Sequence, residues 1–231
     1  MPSPIQQAIT ILEAAYGRNL RYSSKQPMAQ LISTVLSQRT KYADERAAFE
    51  RMWTMFGSWE AIMKADTTAL AEAIQRANYP EVKAPRIQEI LRLIEEERGD
   101  FDLTFLQSWE VDKAQQWLMR FPGVGHKTAT FLLLFVFRLP ALPVDTHVHR
   151  VSQRLGIIET KVSEAKAHKL LKEMLPPSAD ELLNFHKLFF KHGQQVCTWS
   201  QPNCQICVLQ NVCNSFTQKK DLFAKHQAQI G

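Results

Sequence analysis

Apolar positions in this chain recur three and four residues apart rather than every second residue. Met28, Leu31, Ile32, Val35 and Leu36 form one such stripe, and Ile87, Ile90, Leu91 and Ile94 form another; that spacing puts each set on a single helix face. The punctuation agrees. Pro27 suits a first helical turn, Ser58 and Thr67 suit N-caps, and Gly57, Gly99, Gly156 and Gly193 suit helix ends. The pattern predicts about a dozen short helices. No two alternating apolar runs are joined by Asn-Gly or Asp-Gly, so a hairpin-built sheet has no support and the expected class is all-α. The longest apolar run, Phe131 to Phe137, falls far short of the roughly 20 residues that cross a bilayer and reads as a buried helix.

Composition narrows the class further. With 231 residues, 45% hydrophobic and 22% charged, the chain can bury one large core or two smaller ones, which excludes disorder and coiled coil. Eight glycines and eleven prolines leave little turn material for a many-stranded sandwich. Met1 to Gly17 carries no basic segment followed by an apolar run and a cleavage site, so a cytoplasmic protein with no membrane partner is expected. A formal charge of +5 permits a polyanionic partner without requiring one. No Gly/Ser linker divides the chain. Residues 214–231 are polar, with Lys219, Lys220 and Lys225, and are expected to be a frayed tail.

Three motifs carry chemistry. All four cysteines fall in Cys197-x6-Cys204-x2-Cys207-x5-Cys213, a density that in a reducing compartment reads as metal ligation by thiolates; the spacing suits either a structural zinc or an iron–sulfur cluster. Pro122-Gly-Val-Gly125, followed by His126 and Lys127, lies between two apolar helical segments. Its glycines permit a tight turn with bare amides, and the next helix opens with free N–H groups able to take a phosphate: a helix-hairpin-helix. The Lys-Thr that follows does not complete a P-loop. Lys127, at the positive end of that helix, is placed to act as a neutral nucleophile or as a point charge on phosphate. In Val144-Asp-Thr-His-Val-His-Arg150, Asp145 stands at an N-cap position, and its carboxylate could also support positive charge on a sugar carbon. His147, His149 and Arg150 suit a phosphate-facing surface, but the i and i+2 histidines point apart and make no metal site.

Taken in order, Leu36-Ser-Gln-Arg-Thr40, Pro122-Gly-Val-Gly-His-Lys-Thr-Ala129, Val144-Asp-Thr-His147 and the cysteine loop resemble the endonuclease III family of DNA glycosylases, within the helix-hairpin-helix superfamily, across most of residues 25–213. The resemblance implies two all-α lobes with a DNA cleft between them. These are a six-helix module at 25–137 and an iron–sulfur helical domain at 1–24 and 138–213, with 214–231 as the tail. It implies a base-excision-repair enzyme with glycosylase and AP lyase activity, acting as a monomer on double-stranded DNA that holds damaged bases, oxidised pyrimidines in particular, or abasic sites. In a bacterium it would lie at the nucleoid.

By the same resemblance Lys127 is the nucleophile, Asp145 the supporting carboxylate, and Cys197, Cys204, Cys207 and Cys213 the ligands of a 4Fe-4S cluster. Gly123, Val124, Gly125, His126 and His147 would hold DNA. Gln38 would fill the gap left by a flipped base, and Tyr79 falls where the family places an apolar wedge, although its loop departs from the usual Gly-hydrophobic-Tyr pattern. Two other readings compete. An adenine-type mismatch glycosylase would need a glutamate where Thr34 stands and would lack Lys127; a non-catalytic iron–sulfur DNA-binding module would use the same surfaces without chemistry.

Overall fold

A computed structural model of the chain describes residues 2–218, which hold eleven α-helices, a further helical turn at 214–218, three short 3-10 segments and no strand. No helix among them is long and apolar enough to cross a membrane. The described residues divide into two compact units, 22–139 forming one and 2–21 with 140–218 forming the other.

The unit Tyr22–Leu139 contains α2 (Pro27–Ser37), α3 (Tyr42–Phe56), α4 (Trp59–Lys64), α5 (Thr67–Ala73), α6 (Pro80–Arg98), α7 (Val111–Leu118) and α8 (His126–Phe135). Both predicted stripes are its core. Leu31, Ile32, Val35 and Leu36 on α2 and Ile87, Ile90, Leu91 and Ile94 on α6 are fully buried, each removing a side chain from water at a gain of about 1.5–3 kcal/mol. Accordingly α6 packs on α2, α4 and α5, while α2 also packs on α3 and α8. The Ser58 hydroxyl caps α4, accepting from the Ala61 amide at 3.1 Å. Thr67 is not a cap. Asp66 takes that place, its Oδ1 accepting from the Ala69 amide at 3.0 Å, because the carboxylate one residue earlier reaches the first-turn donors while Thr67 is already helical.

The other unit contains α1 (Pro4–Tyr16), α9 (Thr146–Leu155), α10 (Glu164–Glu173) and α11 (Ala179–Gln195). Buried Phe185 and Phe189, ring centroids 4.2 Å apart, anchor α11, which packs on α1 and α9. Gly193 lies inside α11 rather than at its end. A Cβ there would stand 2.8 Å from the His147 Cβ and 3.2 Å from its Cα, so this glycine marks the close crossing of α9 over α11 and not a stop. The cysteine loop follows, with 3-10 segments at Cys204–Ile206 and Gln210–Val212. Residues 214–218 form a helical turn in place of the frayed start of a tail; the rest of the expected tail lies outside the described residues.

Candidate active site

The hairpin joins α7 to α8. Phe121 and Val124 bury their side chains and clamp the turn from inside, while Gly123 adopts φ 79°, a conformation that a side chain would strain. Val124 is not a bare amide, since it donates to the Phe121 carbonyl at 3.1 Å. Among the described residues no protein acceptor takes the Gly123 or Gly125 amide, and Gly125 caps α8 without any side-chain bond. The turn therefore presents donors at the positive end of a helix, the arrangement that receives phosphate. His126 opens α8, half-buried, and Lys127 is its second residue. The Lys127 side chain is exposed and makes no hydrogen bond or ion pair among the described residues.

Two distant stretches of the same unit reach this turn. The Gln38 amide, at the C-cap of α2, donates to the Gly123 carbonyl at 2.7 Å. The Arg86 side chain, from α6, lies where a Gly123 Cβ would meet its Cδ at 3.5 Å and its Nη1 at 3.6 Å, placing a cation against the hairpin. Sequence reasoning missed Arg86, which reads there as one more helix-surface charge. Tyr79 is 52% exposed and left-handed (φ 61°, ψ 50°) at the N-cap of α6. Sequence reasoning also missed Lys83. Only 3% exposed, it donates to the carbonyls of Leu36 (2.7 Å) and Gln38 (2.8 Å) and to the Thr40 hydroxyl (2.9 Å). Burial, with Arg86 nearby, pulls its pKa down to about 8.

In the other unit, Asp145 caps α9. One carboxylate oxygen, Oδ1, accepts from the amides of His147 and Val148, both at 2.8 Å. The half-buried His147 faces Arg150 through Nδ1 (3.1 Å) and sets its ring edge-on to Phe190. His149 turns away, its Nε2 bonded to the Val162 carbonyl at 2.8 Å. Arg150 does not belong to a phosphate-facing surface. It is 6% exposed and braces the cysteine loop, donating to the carbonyls of Gly193 (2.7 Å) and Cys197 (2.9 Å), because α9 packs so closely on α11 that its guanidinium turns inward.

The four half-buried thiols line one cavity of about 280 Å³, shared with Arg154, His192, Leu155 and Phe216. Arg154 Nη1 lies 3.2 Å from the Cys197 sulfur, and the Cys213 thiol donates to the Arg154 carbonyl at 3.4 Å. His192 is fully buried and neutral, its pKa pushed down to about 4 by desolvation; it meets the Tyr16 hydroxyl at 2.9 Å and the Cys207 sulfur at 3.5 Å. Burial raises the pKa of the Cys207 and Cys213 thiols. Among the described residues, no three Cys, His, Asp or Glu side chains converge as a single ion requires.

The all-helical fold carries a hairpin whose free amides can receive a phosphate, and the chain's relatives say which class this is. The model of the HhH-GPD superfamily base excision DNA repair proteins matches residues 32–177. Endonuclease III of Thermotoga maritima is 34% identical over 193 residues, covering 84% of this chain and 85% of that protein. Endonuclease III of Sulfolobus acidocaldarius is 30% identical, covering 81% and 82%. A solved structure of a trapped endonuclease III–DNA covalent intermediate shares the fold, at TM-score 0.79 and 24% identity over 95% of this chain and 100% of that one. The chain belongs to the HhH-GPD superfamily and is an endonuclease III-like base excision repair enzyme, of the DNA glycosylase/AP lyase kind.

Proposed function

We propose that this glycosylase works through Lys127 and Asp145 on duplex DNA, removing a damaged base, an oxidised pyrimidine in the first instance, and then cutting the strand. The observation that carries the reading is an exposed, unpartnered amine on the second residue of the hairpin helix, beside amides open to phosphate. The unprotonated Lys127 amine attacks C1′ of a nucleotide turned out of the stack. A bond forms from nitrogen to carbon as the glycosidic bond breaks, and the base departs with its electron pair and takes up a proton. Asp145 supports the positive charge that develops on the sugar. After the amine loses its proton the sugar ring opens to an imine. The imine acidifies the C2′ hydrogen; its loss expels the 3′ phosphate and breaks the strand.

Gly123 and Gly125 hold the backbone through their amides, with His126, His147 and Arg86 as further phosphate contacts; Gln38 and Tyr79 enter the gap left by the base. Val124 contributes by packing. Such an enzyme meets its substrate in the cytoplasm, one copy to a lesion.

Cys197, Cys204, Cys207 and Cys213 fit a 4Fe-4S cluster: four soft thiol donors line one cavity of about 280 Å³, the donor set that such a group takes. When bound, that group ties the loop together and supplies a redox centre, and the base-removal chemistry does not use it. Iron and sulfide content test this assignment, and zinc in their place would reject it.

Borohydride trapping tests the chemistry. Wild-type protein incubated with a duplex holding an abasic site should form a covalent adduct, and Lys127→Ala should form none; an adduct that survives the substitution removes Lys127 as nucleophile. Retention of both glycosylase and lyase activity by Lys127→Ala would equally defeat the reading.

A further inference from the structure

We propose that Lys83 is a positioning residue for lesion recognition: its buried ammonium holds together the two loops that carry Gln38 and Tyr79. The inference rests on the reading of those two residues as the groups that enter the gap left by a flipped base.

An ammonium has three N–H donors and no acceptor, and here all three are used. They go to Leu36 O, Gln38 O and Thr40 Oγ1, at 2.7, 2.8 and 2.9 Å. Two of these acceptors are at the carbonyl end of α2, where the helix dipole favours a cation. Among the described residues Lys83 has no carboxylate partner, so the charge is balanced by oxygen dipoles alone. Burying an ammonium in this way is costly, and an apolar side chain would fill the space at less cost. What only the ammonium supplies is three bonds that converge from different directions.

Those bonds extend into both loops. Thr40 Oγ1 also accepts the Asn78 amide at 3.0 Å and donates to the Gln38 carbonyl at 3.2 Å, and the Asn78 side chain donates to the Arg39 carbonyl. Gln38, fixed through its backbone, spends its side chain on the Gly123 carbonyl of the hairpin. Each loop also holds a non-glycine residue in the left-handed region, Arg39 at φ 53° and Tyr79 at φ 61°. Each such conformation is strained for a residue with a side chain, and the network around the ammonium must outweigh that strain. Without the ammonium, each of the three oxygens loses one donor, the Leu36 carbonyl goes unpaired at its end of the network, and both strained residues are free to relax. Gln38 and Tyr79 then lose their registration to the hairpin, while Lys127, on another helix, does not.

The test compares base removal with chemistry on a site already stripped of its base. In Lys83→Met, which keeps an unbranched chain and removes the donors, kcat/KM on a duplex with one oxidised pyrimidine should fall at least about tenfold, and borohydride trapping on an abasic duplex should fall by less than about twofold. The rise in fluorescence of a 2-aminopurine placed opposite the lesion should be lost. Thr40→Val removes one acceptor and should give the same split with a smaller ratio; it serves if Lys83→Met fails to fold. Parallel losses of both activities, or no loss in either, overturn the proposal. The double variant Gln38→Ala/Tyr79→Ala separates the two layers. If it loses base removal while Lys83→Met does not, Lys83 alone is misassigned; if it keeps base removal, the reading of Gln38 and Tyr79 fails and the proposal falls with it.

Discussion

Asp145 caps α9 and is proposed to support charge on the sugar, and a pair of substitutions separates the two roles. Its Oδ1 accepts two amides at 2.8 Å, from His147 and Val148, at the start of a ten-residue helix packed on α11. Asp145→Ala removes both bonds and leaves the donors partly buried, a loss of about 1–2 kcal/mol for the cap, with about 0.3–1 kcal/mol more for the charge facing the helix dipole. Asp145→Asn keeps an acceptor oxygen in place and loses only the charge, so its cost should stay below about 1 kcal/mol. For a chain of this length that difference is a few degrees in Tm, about 2–4 °C per kcal/mol, and is readable by urea or thermal unfolding. Base release should respond differently. The developing sugar cation needs the charge and not the cap, so both variants should slow single-turnover release about 10²–10³-fold. Full activity in Asp145→Asn would end the electrostatic role. Equal destabilisation by Asn and Ala would show that the cap is not what holds α9.

The remaining predictions concern three other positions. Gly193→Ala puts a Cβ 2.8 Å from the Cβ of His147 and should cost about 1–3 kcal/mol in urea unfolding; an unchanged midpoint would mean that α9 and α11 do not cross so closely. Gly125 is extended, and a Cβ there meets nothing within 4 Å, so Gly125→Asp should fold with an equal or slightly higher Tm because Asp caps a helix well. Its DNA affinity by fluorescence anisotropy should nonetheless fall, through a carboxylate set against phosphate; unaltered affinity would remove the hairpin from the interface. Lys83 has its pKa lowered in the fold from an ordinary 10.5 to about 8, so the unfolded chain binds more protons between those values. Stability should therefore rise with pH across that window, being fully present above about 10.5 and lost as pH falls to about 8, and Lys83→Met should flatten this slope in pH-dependent unfolding.

Much of the fold was legible because helices are decided within a few residues. The stripes on α2 and α6, the Ser58 cap and the Asp145 cap all follow from spacings of three and four, and each reappears as buried side chains or short bonds. The motif order sufficed for the family, and the cysteine spacing for four thiols on one cavity. Even local chemistry erred by one position at Asp66 and Thr67, where two adjacent residues both suit a cap and reach alone selects the carboxylate.

Contacts between residues far apart in the chain had no local signal. Gln38 meets the hairpin across 85 positions and Lys83 meets Leu36 across 47. Lys83 and Arg150 stand in polar stretches that suggest solvated cations, and only tertiary packing supplies the carbonyls that bury them. Gly193 carries the residue type of a helix end but is required by the approach of another helix. Local spacing settles which segments are helical and which reactive groups they bear. Burial separates the cations that hold the frame, Lys83 and Arg150, from those left in solvent such as Lys127, because it depends on neighbours that helical periodicity does not encode.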